Sequence, residues 1–194
     1  MATGKIPLIY LQNSGLGNIV NPLLSLTDKE VYNIPMLLLI GWRGEPEEKD
    51  EPQHVKQGKL TIPLLNTLGI KNMILSQDES IFEEQLKEMM LFMKTTNETA
   101  AFVVKKGTFQ DYSSKNVLEN SFLLSREESI NIVADSMNDN DIVVSTTGMI
   151  SRELFEYRER KNENHKKDFL TVGSMGQASQ IALGVALQRK DVKV

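Results

Sequence analysis

The apolar positions of the chain alternate between short continuous runs and helical stripes. Residues 6–11 form an apolar run that reads as a short buried strand. Leu16, Val20, Leu23 and Leu24 then recur at i, i+4, i+7 and i+8, one face of a helix. Between the two lies Gln12-Asn13-Ser14-Gly15-Leu16-Gly17-Asn18, a polar turn whose glycines allow a sharp bend and a close approach. Residues 36–40 are a second apolar run behind Pro35, of the kind buried on both faces of a parallel sheet. Gly41-Trp42-Arg43-Gly44 follows at its carboxyl end, and residues 45–57 read as a polar loop. Leu60, Leu64, Leu65 and Leu68 predict a helix with Thr61 as N-cap, Pro63 in its first turn and Gly69 as C-terminal cap. Residues 72–75 predict a strand. Ser80-Ile81-Phe82-Glu83 reads as a capping box opening a helix with Phe82, Leu86, Met89, Met90 and Met93 on one face. Those methionines read as core packing rather than a binding stripe. Residues 100–104 predict a fourth strand.

The second half repeats the scheme after a polar, irregular stretch that reads as a linker. Ser125-Arg126-Glu127-Glu128 is another capping box, followed by Ile130, Val133, Ala134 and Met137 on a helical face. Residues 141–145 and 169–172 predict strands. Each runs into a glycine turn, Thr146-Thr147-Gly148-Met149 and Gly173-Ser174-Met175-Gly176, and then a helix. Residues 158–168, dense in both charges, read as a solvated loop. Alternating apolar strands and helices predict an α/β chain with parallel sheets in two units of similar architecture. The chain enters a strand at Ile6 and stops at Asp191-Val192-Lys193-Val194, which reads as the opening of another strand. That pattern leads us to expect a fragment of a longer protein.

Composition narrows the chemistry. The absence of cysteine excludes disulfides, thiolate metal sites and a cysteine nucleophile, and fits a reducing, cytoplasmic setting. With two histidines, a zinc site would have to rely on carboxylates. A net charge of −4 gives no general attraction to nucleic acid or to an anionic membrane. No apolar run approaches the ~20 residues of a membrane span. Neither glycine turn ends in the Lys-Ser/Thr of a phosphate-binding P-loop or matches G-x-G-x-x-G. Arg43, at a strand end, suits a carboxylate or phosphonate, with a surface salt bridge as the alternative. His54 beside Gln53 can exchange a proton near neutral pH or simply be solvated. His165 is assigned no role.

Three segments together are more specific. Gln12 through Pro22 (QNSGLGNIVNP), Ile34 through Gly44 (IPMLLLIGWRG) and Asp50-Glu51-Pro52-Gln53-His54 closely resemble the phosphonopyruvate decarboxylases, whose near relatives are the sulfopyruvate decarboxylases. Thr146 through Glu153 (TTGMISRE) and Val172 through Ala178 (VGSMGQA) are similar to the same family. The resemblance implies a thiamine-diphosphate- and Mg2+-dependent lyase of phosphonate biosynthesis, converting 3-phosphonopyruvate to phosphonoacetaldehyde and CO2. It implies two thiamine-diphosphate-binding-type units: residues 1–107 pyrimidine-binding, 108–124 a linker, and 125–194 the start of a diphosphate-binding domain. It further implies a homo-oligomer with the cofactor between subunits, and no nucleic-acid or membrane partner. Thr147, Gly148 and Met149 match the turn near the diphosphate. Gly173, Ser174, Met175 and Gly176 match the segment against the aminopyrimidine, Met175 being the apolar prop that bends the cofactor. Asn13, Ser14, Gly15, Leu16, Gly17 and Asn18, with Gln53 and His54, match the substrate side; Arg43 is added on charge. The activating glutamate is expected before Met1, and the Mg2+-binding segment after Val194. The resemblance therefore implies that these residues alone neither hold the cofactor tightly nor decarboxylate. Sulfopyruvate decarboxylase and a non-catalytic binding or assembly module of the same fold remain the alternatives.

Overall fold

The computed structural model describes residues 4–113 and 121–194. The chain divides into two compact units, Met1–Ser113 and Ser114–Val194. Residues 114–120, within the expected linker, lie outside the described residues.

Unit 1 is a four-stranded parallel sheet in the order β1-β2-β4-β3. β1 (Leu8–Gln12) leads through a turn of 3-10 helix, Asn13–Gly15, into α1 (Leu16–Pro22). β2 (Leu37–Gly41), α2 (Pro52–Thr67), β3 (Lys71–Ile74), α3 (Glu79–Thr96) and β4 (Ala100–Val104) follow. Successive strand residues point to opposite faces, and both faces of the central strands are apolar. Leu38, Ile40, Ala101 and Val103 pack with Leu16 of α1 and Leu65 of α2. Leu37, Ala100 and Phe102 pack with Met89 and Met93 of α3 on the other face. Every residue of β4 is buried, as expected of a central strand flanked by helices.

Several local expectations are corrected. α2 starts at Pro52, not near Leu60. Pro52 occupies the first turn, where its missing N–H costs nothing. Pro63 sits inside the helix on its exposed side, and Thr61 is buried in mid-helix rather than capping it. α3 is capped by Asp78, whose carboxylate accepts from the Ser80 and Ile81 N–H groups, so Ser80 is not the cap. Gly69 does end α2: at φ +69° it lets the Ile70 N–H reach the Leu65 carbonyl at 3.0 Å. Gly15 adopts an ordinary helical φ of −81°, and Gly17 is not among the positive-φ glycines. The first turn therefore continues into helix rather than bending sharply.

Unit 2 contains α4 (Arg126–Asp135), β5 (Val143–Ser145), α5 (Met149–Arg160), β6 (Asp168–Leu170) and α6 (Ala178–Gln188), with β5 and β6 parallel. The capping box at α4 is formed in both directions between Ser125 and Glu128. Residues 192–194 form no strand, although the Ile142 N–H donates to the Lys193 carbonyl at 2.8 Å. Ala134, Leu154 and Tyr157 make the core, with Ile130, Val143 and Leu170 packed against it.

The charged run is not a solvated loop. α5 extends to Arg160, and the Arg158 side chain is 2% exposed. Its Nη1 donates to Glu163 at 2.6 Å, while Nε and Nη2 face the fully buried Asp168 at 3.2 and 3.3 Å. Losing one partner of such a pair leaves a buried charge uncompensated, which costs roughly 3–5 kcal/mol. Arg158→Ala is therefore expected to melt unit 2 first, read by near-ultraviolet circular dichroism and hydrogen exchange, with the unit 1 amides still protected. Equal loss of protection in both units would contradict this.

Candidate functional site

The loops at the carboxyl ends of β1, β2 and β4 enclose a cleft of about 600 Å3 in unit 1. Its origin lies in the sheet. Strand register puts Leu8 and Tyr10 on the same face as Leu37 and Leu39, the face that α3 covers over β2 and β4. α3 does not cover Tyr10, which is 84% exposed. Tyr10, Leu39, Val104 and Phe109 form the apolar part of the cleft, and Arg43, Lys49, Lys105 and Lys106 with three carboxylates form the charged part. Ligands of open α/β sheets bind outside the carboxyl ends of strands, as this cleft does.

The turn after β2 is locked from the other face. Asn13 is buried; its Nδ2 donates to the Arg43 carbonyl at 2.7 Å and to Thr61 Oγ1 at 2.9 Å, and its Oδ1 accepts from the Arg43 N–H at 3.2 Å. The Trp42 indole N–H donates to the Gly58 carbonyl at 2.9 Å. Gly44 and Gly58 touch backbone to backbone. A Cβ on Gly44 would lie 2.0 Å from the His54 carbonyl oxygen, and one on Gly58 would lie 1.6 Å from the Gly44 carbonyl oxygen.

Arg43 makes a two-pronged pair with Asp50, Nε to Oδ2 at 2.8 Å and Nη2 to Oδ1 at 2.5 Å. The Gly44 and Glu51 N–H groups also donate to Asp50, each at 2.7 Å. Arg43, aided by these N–H groups, holds the Asp50 carboxyl well below the usual carboxylate range, and Asp50 raises Arg43 in return. Of the residues expected on the substrate side, Arg43 lines the cleft. Asn13, Ser14, Gly15, Leu16, Gly17, Asn18, Gln53 and His54 do not; α1 and α2, which carry most of them, pack on the opposite face of the sheet. His54 Nδ1 is buried without a partner among the described residues.

In unit 2 the expected cofactor residues cluster at the carboxyl ends of β5 and β6. Thr147 and Gly148 lead into α5, whose first residue is Met149. Gly148, at φ +94°, is the N-cap and has no side-chain cap, so the first-turn N–H groups lack a side-chain acceptor there. Ser151, in that first turn, places its hydroxyl 2.7 Å from Ser145 Oγ, 2.7 Å from the Thr146 carbonyl oxygen and 3.2 Å from that of Thr171. This one buried side chain ties the ends of both strands to the helix start. Among the described residues Thr171 Oγ1 is buried with no hydrogen-bond partner, just before the turn carrying Gly173, Ser174, Met175 and Gly176. Ser174 and Gly176 have φ of +56° and +86°, and Met175 is 81% exposed. An uncapped helix start fits an anionic group. Among the described residues no cluster of three His, Asp or Glu side chains could hold a metal ion, and no helix is long and apolar enough to cross a membrane.

No protein-family model matches the chain. Its curated relatives are decarboxylases. The chain is 32% identical over 202 residues to the phosphonopyruvate decarboxylase of Streptomyces viridochromogenes, covering 95% of this chain and 48% of that protein. It is 28% identical over 208 residues to the sulfopyruvate decarboxylase of Methanosarcina acetivorans, covering 97% of this chain and 51% of that protein. The sulfopyruvate decarboxylase α and β subunits of Methanocaldococcus jannaschii are 37% and 35% identical over 67 and 66 residues, each covering 34% of this chain and 38% and 32% of the respective subunit. The chain is thus homologous to the phosphonopyruvate decarboxylases, with sulfopyruvate decarboxylases as close relatives, and spans about half the length of its full-length relatives.

Two measurements check the unit 1 geometry. Alanine normally stabilises a helix by about 1 kcal/mol over glycine, yet Gly58→Ala is expected to lower the melting temperature, because the new Cβ meets backbone that cannot rotate away. A rise in melting temperature would show that the contact relaxes. Asp50 has its folded pKa depressed, so its contribution is present above the unfolded carboxylate pKa and is lost as pH falls toward the folded one. Stability of unit 1 should therefore fall below about pH 4. Asp50→Asn should cost roughly 1 kcal/mol at pH 7 and flatten that fall in acid denaturation curves.

Proposed function

We propose that the chain carries the cofactor- and substrate-facing units of a phosphonopyruvate decarboxylase, which converts 3-phosphonopyruvate to phosphonoacetaldehyde and CO2 in phosphonate biosynthesis. The observation that carries this reading is the 32% identity across 95% of the chain to a phosphonopyruvate decarboxylase. Residues 1–107 are then the pyrimidine-type domain and 125–194 the beginning of the diphosphate-type domain. Thiamine diphosphate with Mg2+, when bound, supplies the sink for the electron pair released with CO2. The α5 start at Thr147, Gly148 and Met149 would hold the diphosphate through its backbone N–H groups. Gly173, Ser174 and Gly176 would present backbone to the aminopyrimidine, with Met175 as its apolar support. Ser151 keeps the two turns at fixed spacing by its contacts to both strand ends. The unit 1 cleft provides an apolar wall that excludes water and a charged rim for the anionic end of the substrate. The assembly is a cytoplasmic homo-oligomer with the cofactor between the pyrimidine unit of one subunit and the diphosphate unit of its partner. The α and β subunits named among the sulfopyruvate decarboxylases support an oligomer.

Sulfopyruvate is the competing substrate, supported by 28% identity over 97% of the chain. The test is CO2 release by the whole gene product with thiamine diphosphate and Mg2+. A preference for phosphonopyruvate over sulfopyruvate of at least about tenfold in kcat/KM is expected, a difference of roughly 1.4 kcal/mol. The reverse preference replaces the substrate; release from neither overturns the decarboxylase reading. Calorimetry on the 194-residue chain, expected to show weak cofactor binding at most, tells whether these residues suffice.

A further inference from the structure

We propose that Lys49 and Lys106 supply the available positive charge of the unit 1 cleft and select a dianionic phosphonate over a monoanionic sulfonate. This rests on the decarboxylase reading and assigns the residues that recognise the substrate's anionic end.

The argument is a census of the cleft's charges. Four cations line it: Arg43, Lys49, Lys105 and Lys106. Arg43 spends Nε and Nη2 on Asp50. Asp50 is itself pinned by two backbone N–H groups, so an anion arriving at Arg43 must displace a carboxylate that the turn holds in place. Lys105 is paired with Glu45 at 2.6 Å. Among the described residues Lys49 and Lys106 have no ion pair and no side-chain hydrogen bond, and both are exposed on the cleft rim. Glu48, also on the rim, offsets part of this charge and acts on Lys105. Arg43 is thereby a positioning residue for the turn, and the two lysines are the groups that can turn to an incoming anion without breaking a contact. The neighbouring apolar wall of Tyr10, Leu39, Val104 and Phe109 suits the short carbon chain and lowers the local dielectric, which strengthens the lysine–anion attraction. A phosphonate has a second acidic proton to lose and so can carry two negative charges; a sulfonate carries one at any pH. Two mobile point charges therefore favour the phosphonate.

The test uses phosphonoacetate and sulfoacetate as probes, titrated into the 194-residue chain and followed by the fluorescence of Trp42, the single tryptophan, which lines the cleft. The variants are Lys49→Met, Lys106→Met, their combination, and Lys56→Met, an exposed lysine outside the cleft, as a control for net charge. Each single cleft variant is expected to weaken phosphonoacetate about five- to tenfold and the pair about thirtyfold or more, with a smaller loss for sulfoacetate. Lys56→Met should leave both probes unchanged. Wild-type affinity for phosphonoacetate in the double variant, equal losses for both probes, an equal loss from Lys56→Met, or no binding by the wild-type chain would each overturn the proposal. None of these bears on CO2 release by the whole gene product, so the decarboxylase reading stands or falls separately.

Discussion

The contact on which unit 1 depends is backbone against backbone, where the turn after β2 lies on α2. Gly44 and Gly58 approach so closely that neither position has room for a Cβ. Gly58 weakens the helix it sits in by about 1 kcal/mol relative to alanine, and the fold accepts that cost because the Gly44 carbonyl occupies the space. Everything nearby is arranged around this proximity. The Trp42 indole bonds the Gly58 carbonyl, and Asn13 bonds the Arg43 backbone and Thr61 of α2. Three segments far apart in sequence are thus joined at the carboxyl edge of the sheet. The cleft on the opposite face inherits its rigid wall from this clasp.

The central strands of unit 1, β2 and β4, were legible in the sequence because their environment is severe, whereas β1, expected as a buried strand, lies at the sheet edge and is largely exposed. A strand buried on both faces must be apolar throughout, and β2 and β4 read that way; β4 has the limits its apolar run predicts. Helix starts were less legible because competing signals of the same chemistry stood near one another. Asp78 outcompetes Ser80 as a cap because its carboxylate accepts from two N–H groups at once, and the Ser80 hydroxyl itself donates to Asp78 at 2.6 Å. Pro52 and Pro63 each offer a first-turn signal for α2. Pro63 instead lies within the helix on its exposed side, where water can reach the carbonyl it leaves unpaired. The burial of Arg158 was hidden by its charged neighbours, yet it falls at i+4 from Leu154, on the stripe that faces the core.

The candidate site was legible as a set of strand ends and illegible as a set of faces. Every glycine turn singled out from the sequence does lie at the carboxyl end of a strand. Which side of the sheet each side chain serves depends on strand register and on which helix covers which face, and one chain's local pattern does not encode that. Arg43 reaches the cleft while Gln53 and His54 do not, although the motif holds them ten residues or so apart. Asp50 was visible in the motif, but its role as the partner of Arg43 follows from a turn geometry that brings the Gly44 and Glu51 N–H groups onto the same carboxylate.

The two units differ in how completely they close. Unit 1 has an apolar core on each face of its sheet. Unit 2 has one small core, centred on Ala134, Leu154 and Tyr157, and α6 buries no residue fully while Leu183 and Leu187 stand more than half exposed. Each of these core clusters is made of residues of its own unit. Sequences of this kind are carried on one polypeptide or on two among the relatives. Curated relatives of this chain include both arrangements, full-length proteins and separate α and β subunits. What the covalent join adds is effective concentration, which raises the chance of productive encounter without a new contact.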